Sequence, residues 1–455
     1  MTPFEYLERS EKRRTEELFK FLSFPSVSAQ SKHKQDVLDC ANWLKEHLEQ
    51  IGFKTTMHPT QGHPIIYAEY QVSDRKPTVL YYGHYDVQPP EPLNLWKTPP
   101  FAPDSREGYY YARGASDDKG QTFTHIKGLE SVIKSEGTLP VNVKFLIEGE
   151  EEISSANLPE FIRKNTKMLE ADICVVSDTA QFNETLPAVT FGLRGIAPAE
   201  LFVYGPNRDV HSGTFGGAIA NPVTVLCELV AQLHDKNRKI TVPGFYKDVK
   251  LPSKWERQQF KKLPFKEAEY KNGIGIPAVD GEKGFTTFER AWIRPTLEIN
   301  GISGGYQGEG AKTIIPSFAS CKITMRLVPK MRPEDVNNKL EKYLKKIAPK
   351  SVRIELKKYP GAKGVNVPTE GPWLEAAARA IEAGFGNKPV FMKEGGSIPV
   401  VSDFKEYLGL DTLLIGFGQI DDNIHSPNER FRVIDFERGC KTAAALPFEL
   451  AKVKV

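Results

Sequence analysis

Long apolar runs are missing from this chain of 455 residues. Nowhere do apolar side chains continue for the ~18 residues that a membrane-crossing helix needs. The opening stretch, MTPFEYLERSEKRRTEELFKFL, is charged and amphipathic and has no apolar centre of signal-peptide length. A dominant charge is missing too: 61 Lys and Arg against 58 Asp and Glu leave +3. That balance gives no reason to expect a nucleic acid or an anionic membrane surface as partner. Cysteine is scarce. The five present, at positions 40, 174, 227, 321 and 440, are far apart, odd in number and never spaced CxxC. This argues against a disulfide framework and cysteine-held zinc, and it suits a reducing compartment. The expectation is a soluble, cytoplasmic protein without internal repeats or low-complexity segments.

What is present is ordinary globular composition, 40% hydrophobic and 26% charged. The length exceeds one ordinary core and predicts two domains. Helical spacing marks 3–22, 35–51 and 120–133, and short strands fall at 54–57, 65–70, 78–82, 141–147 and 172–176. Strands alternating with helices predict an α/β sandwich with a mostly parallel sheet, in which ligands gather at the carboxyl ends of strands. From about Arg194 the texture changes: strands at 197–203, 296–299, 320–327 and 352–358, helices at 220–234 and 333–347, and an irregular stretch at 243–294. The first style resumes with a helix at 371–383, a strand at 412–416 and a helix at 433–451. The predicted division is a catalytic domain in two parts, 1–191 and 365–455, interrupted by an inserted α+β sandwich at 192–364.

Candidate chemistry collects just past strand ends. In Val79-Leu80-Tyr81-Tyr82-Gly83-His84-Tyr85-Asp86-Val87 a buried strand ends by presenting His84 and Asp86 on one side. An imidazole with an acid beside it is the usual arrangement of a metal ligand and its orienting partner. Alone, such a pair is more often a surface feature; the segments downstream change the reading. Arg113-Gly114-Ala115-Ser116-Asp117-Asp118-Lys119-Gly120 sets two acids before a helix, where an N-cap would also explain them. Glu148-Gly149-Glu150-Glu151-Glu152 gathers four acids after a buried strand, where they repel unless a cation or proton intervenes. Asp178 follows the next strand, and His425 lies in a polar loop before the last helix. Gly305–Thr313 looks faintly like a phosphate loop, but its lysine does not follow the last glycine, so a nucleotide is rejected.

Taken in order, YYGHYDV, YARGASDDKG, EGEEEISS, VSD, FGLRG, RDVHSGTFGG, GAKTIIP, ITMRLVP, EGGSIPV and DDNIHSPNE resemble the di-zinc peptidases of the carnosinase and cytosolic non-specific dipeptidase type. The resemblance spans nearly the whole chain. It implies that His84 binds one metal and His425 the other, that Asp117 bridges them through a cis peptide to Asp118, and that Asp178 and Glu152 complete the two sets. It further implies Asp86 as the group that steadies His84, Glu151 as general acid/base, and His211 as an oxyanion donor reaching the other subunit of a homodimer. Arg326, Gly395, Gly396 and Ser397 match positions that hold the substrate carboxylate. The cofactors implied are two divalent ions, zinc first and manganese as the alternative. Ile153 and Ser154 depart from the small residue and Gly-Ser common after the acid pair, which puts the local turn in question.

The function so implied is metal-dependent hydrolysis of dipeptides or short peptides with a free C-terminal carboxylate. The alternative is a deacylase of N-acetyl or N-succinyl amino acids. Asp178, where deacylases more often carry Glu, resembles the peptidase branch. A third reading, a metal-free relative serving binding or assembly, sits poorly with a complete set of ligand types.

Overall fold

The strand Thr78–His84 is buried from Val79 to its end. A run hidden on both faces belongs in the interior of a parallel arrangement. It pairs in parallel with Asn142–Glu148 on one side and Ile173–Val176 on the other, and Thr412–Leu414 joins parallel to the latter. The computed structural model describes residues 1–454. Within them the chain forms two units, one of Met1–Phe191, Val367–Met392 and the residues from Pro399 onward, the other of Gly192–Asn366 and Lys393–Ile398.

In the first unit, those four central strands pair in parallel. Ile65–Tyr70 and Lys54–His58 extend the sheet antiparallel at one side, and Ala188–Leu193 meets Thr412–Leu414 antiparallel at the other. The sheet is therefore mixed. Helices Lys34–Ile51, Lys119–Glu136, Pro372–Phe385 and Val433–Leu450 contribute Val37, Leu44, Phe123, Leu129, Ile381 and Leu446 to one core with the sheet residues Val79, Phe145 and Val175. Lys119–Glu136 is buried without a break from Lys119 to Val132. At Gly128 an added Cβ would lie 2.5 Å from that of Ala443, so glycine here lets two helices approach.

The helix predicted over 3–22 is two helices, Pro3–Arg9 and Glu11–Leu22. Ser10 breaks it: its hydroxyl donates to the Tyr6 carbonyl at 2.8 Å, competing with the main-chain ladder.

The second unit is a four-stranded antiparallel sheet ordered Thr296–Gly304, Phe318–Leu327, Gly195–Tyr204, Arg353–Lys358. Gly195–Tyr204 alternates buried and half-buried along its length. Its buried side meets helices Pro222–Ala231 and Pro333–Ile347 in a core of Leu201, Val203, Leu226, Leu229, Val336 and Leu340. The stretch read as irregular, 243–294, instead carries three short helices, Lys254–Lys262, Glu267–Ile274 and Thr287–Trp292. Capping boxes at Ser253/Glu256 and Thr286/Glu289 start the first and third, and Phe288 stacks on Trp292 at 4.1 Å.

Candidate active site

The parallel strands deliver their carboxyl ends to one edge of the sheet, and polar side chains collect there. His84 is the last residue of its strand and stands opposite Glu148, the last of the next. Glu151 and Glu152 follow in a single 3-10 turn, Glu151–Ile153, and Asp178 lies two residues past Val176. Asp117 precedes the helix Lys119–Glu136, and its peptide to Asp118 is cis. His425 sits in a loop with φ at +60°, between Thr412–Leu414 and Arg430–Arg432.

Five of these side chains converge in the first unit. His84, Asp117 and Asp178 form one group whose ligand atoms all lie within 4.8 Å, and Asp117, Glu152 and His425 form a second. Asp117 belongs to both. One oxygen, Oδ1, is 3.2 Å from His84 Nε2, and the other, Oδ2, is 2.8 Å from His425 Nε2. His425 Nε2 is also 3.3 Å from Glu152 Oε2.

The donor set fits a pair of divalent cations. His84 is fully buried, and its Nδ1 lies 3.0 Å from the main-chain carbonyl of Asp86. A carbonyl only accepts, so Nδ1 carries the proton and Nε2 offers a lone pair. That Nε2 is buried without a hydrogen-bond partner, an orphan a metal would satisfy. Burial pushes Glu151 and Asp178 well above the usual carboxylate range, and the neighbouring Asp117 pushes both further. Asp117 goes the other way. Burial opposes the shift, but the hydrogen bond with His425 and the His84 imidazole 3.2 Å away hold it low. Hydrogen bonds to Asp117 and Glu152 raise His425 to about 10. Protons are thus held where acids crowd, and a divalent cation is the natural replacement for them.

Asp86 does more than face His84. Its Oδ1 is 3.4 Å from His84 Nδ1, and it also accepts from Glu151 N at 3.2 Å while Oδ2 accepts from Glu152 N at 3.1 Å. One buried carboxylate orients the imidazole and fixes the turn bearing both glutamates. Ser154 and Ser155 close that turn with positive φ, and Ser155 N donates to Glu150 O at 2.8 Å. The departure at Ile153-Ser154 therefore leaves Glu152 within the second group. Three supporting residues were assigned no role from the sequence. Gln88 donates to Glu152 Oε2 at 2.8 Å, Ser155 Oγ donates to Glu148 at 2.9 Å, and Glu429 binds the loop carrying Asp117. Gln88 directly follows Val87, while Ser155 and Glu429 end the EGEEEISS and DDNIHSPNE segments, so nearness to the candidate ligands was the only signal.

The remaining sequence-derived residues lie in the second unit. Arg326 Nη1 donates to Ser397 Oγ at 3.0 Å. Arg194 N donates to Gly396 O at 3.0 Å and Arg194 Nε to Gly395 O at 3.2 Å, so the Gly395–Ser397 segment is held between two arginines. Arg194 and Arg326 line a cavity of about 680 Å³ together with His234, Arg294 and Glu298. Burial and the like charge of Arg326 pull Arg194 down to about 10. Burial lowers Arg326 as well. Part of the cavity wall, Tyr270 and Asp280–Glu282, comes from the 243–294 stretch. His211 is exposed, and its Nδ1 accepts from Gly213 N at 2.9 Å, which leaves Nε2 as the donor of the neutral ring.

Comparison with known proteins converges on one group. The model of peptidase family M20/M25/M40 matches residues 80–448. A Cys-Gly metallodipeptidase of Candida albicans is 33% identical, over 96% of this chain and 95% of that protein. The crystal structure of human carnosine dipeptidase 1 superposes with a TM-score of 0.88 at 30% identity, covering 99% of this chain and 98% of that one. A metallo-carboxypeptidase of Sulfolobus solfataricus superposes with a TM-score of 0.88 at 31% identity, over 97% and 99% of the two chains.

Proposed function

The chain belongs to peptidase family M20/M25/M40 and is a metal-dependent peptidase of the dipeptidase type, and from that premise we propose how its residues carry the reaction. The substrates are dipeptides or short peptides with a free C-terminal carboxylate. The observation that carries this reading is the sharing of Asp117 between two converging ligand groups.

His84, Asp117 and Asp178 would hold one divalent ion, and Asp117, Glu152 and His425 the second, with zinc the expected metal and manganese the alternative. Bound there, the ions supply Lewis acidity toward the scissile carbonyl and make a water acidic near neutral pH. Glu151 accepts the proton of the attacking water and returns it to the leaving amine. Its raised pKa suits the second half of that exchange. Asp86 keeps His84 in the tautomer with Nε2 free and keeps Glu151 at its post through the main-chain bond. His211, with Nε2 as donor, stabilises the developing oxyanion.

Arg326 meets the substrate carboxylate with a planar two-donor fork, beside Ser397 and the Gly395-Gly396 backbone. The relatives support this choice, since a dipeptidase and a carboxypeptidase both cleave next to a free carboxylate. The second unit is the inserted domain of a cytoplasmic homodimer, supplying His211 to the partner's site. Dipeptides assayed beside N-acetyl and N-succinyl amino acids, with defined metals, test the reading. Turnover of the dipeptides is expected; turnover confined to the acyl compounds would make the protein a deacylase.

A further inference from the structure

Asp117 and His425 must stand in a fixed relation for one to bridge and the other to ligate, yet 308 positions separate them in sequence. We infer that Glu429 is the positioning residue that sets this relation by clamping the two loops together. Glu429 is fully buried and lies four residues beyond His425 in the same loop. Its Oε1 accepts from Ser116 N and Asp117 N, each at 3.0 Å. Its Oε2 accepts from Gly114 N at 2.9 Å and Arg113 Nη1 at 2.7 Å. Three main-chain N–H groups of the segment bearing Asp117 thus wrap one carboxylate, an anion nest filled by a side chain of the opposite loop. The main-chain carbonyl of Glu429 closes the contact by accepting from Ala112 N at 3.2 Å.

The chemistry requires a carboxylate. Four donors face two oxygens, and every lone-pair direction is used. An amide of the same shape would turn an NH₂ toward N–H donors, leaving two of them unpaired in a buried site. The negative charge is matched by Arg113, itself buried and lying over the Trp96 ring with its carbon 5.5 Å from the ring centre. A neighbouring tie repeats the theme: Ser116 Oγ donates to Asp422 Oδ2 at 2.8 Å, again joining the two loops. Glu429 touches neither substrate nor any ion in this account. It acts through Asp117 and His425, and the inference rests on their reading as metal ligands.

The test is calorimetric titration of the metal-free full-length chain with Mn²⁺, for the wild type, Glu429→Gln and Glu429→Asp, with unfolding temperatures of each metal-free protein. Leu44→Ala, a cavity in the helix Lys34–Ile51, serves as the control for lost stability alone. Expected are two binding events in the wild type and in Leu44→Ala. In Glu429→Gln at least one event weakens by about 10- to 100-fold, as for other supports of metal ligands. Glu429→Asp, keeping the charge but shorter by a methylene, falls between. If Glu429→Gln does not fold, Glu429→Asp alone decides by the same criterion. Wild-type affinities in the folded Glu429 variants, whatever their unfolding temperatures, would overturn the inference. A wild type that takes up no ion would instead overturn the metal-centre reading, and this inference with it.

Discussion

His425 Nε2 lies 2.8 Å from Asp117 Oδ2, so a loop histidine near the end of the chain reaches a carboxylate whose other oxygen faces His84. Two imidazoles on the two oxygens of one acid is the arrangement a bridged pair of cations demands. It separates ligand roles from proton-transfer roles, and substitutions can tell them apart.

Glu151→Gln should retain metal and lose turnover by about 10²- to 10⁴-fold, the range for removing a general acid/base. His84→Ala should lose metal occupancy first, with activity following it. Metal analysis beside steady-state kinetics checks both. Equal metal loss in the two variants would contradict the assigned roles.

Asp86→Ala removes the acid facing His84 but leaves the Asp86 carbonyl that accepts from Nδ1. It also frees the main-chain N–H groups of Glu151 and Glu152. Metal affinity is expected to fall by about 10- to 100-fold without abolition of the site. Because Glu151 is released as well, kcat at saturating metal should fall too. Full recovery of kcat by added metal would limit Asp86 to a role on His84.

The helical and strand framework was legible because buried runs such as Val79–Tyr82 and striped helices such as Lys34–Ile51 have residue signatures. The candidate ligands were legible as acids and histidines, with His84, Glu152 and Asp178 past strand ends, Asp117 before a helix and His425 in a loop, and the family resemblance supplied their roles. Other features had none. The acceptor for His84 Nδ1 is a main-chain carbonyl, which any residue could supply. Gln88 and Glu429 act by position in loops whose paths only the fold determines. The helices of the 243–294 stretch, six to nine residues long, are too short to show an apolar stripe, although Ser253/Glu256 and Thr286/Glu289 stood there as capping boxes.

Arg326→Lys should lower kcat/KM on dipeptides by roughly thirtyfold, about 2 kcal/mol for a lost charged hydrogen bond, mainly through KM. Wild type should be impaired to a similar degree on the same dipeptides carrying a C-terminal amide, and the variant should discriminate less. Equal discrimination by both proteins would remove Arg326 from carboxylate recognition.

Metal-free protein should lose stability as pH rises from about 6.5 to 8.5. Burial raises Glu148 from its ordinary 4.5 to about 8 and Asp422 from 3.8 to about 7. An acid whose folded pKa is raised contributes fully below its unfolded value, and that contribution is lost as pH climbs through the folded one. His425, raised from 6.5 to about 10 by Asp117 and Glu152, has the same sign. The buried, lowered His47 and His125 act oppositely, but only below about 6.5, where their unfolded forms charge. Unfolding temperatures across this window check the slope, which Glu148→Gln should flatten. A rising slope would refute the assignment.

The central claim, dipeptide hydrolysis at a two-ion centre, is met most directly by metal analysis coupled to activity on one dipeptide. The protein should carry about two equivalents of zinc or manganese, lose hydrolysis on chelation and regain it in step with ions returned. Hydrolysis that persists at full rate in protein shown to be free of metal would contradict it.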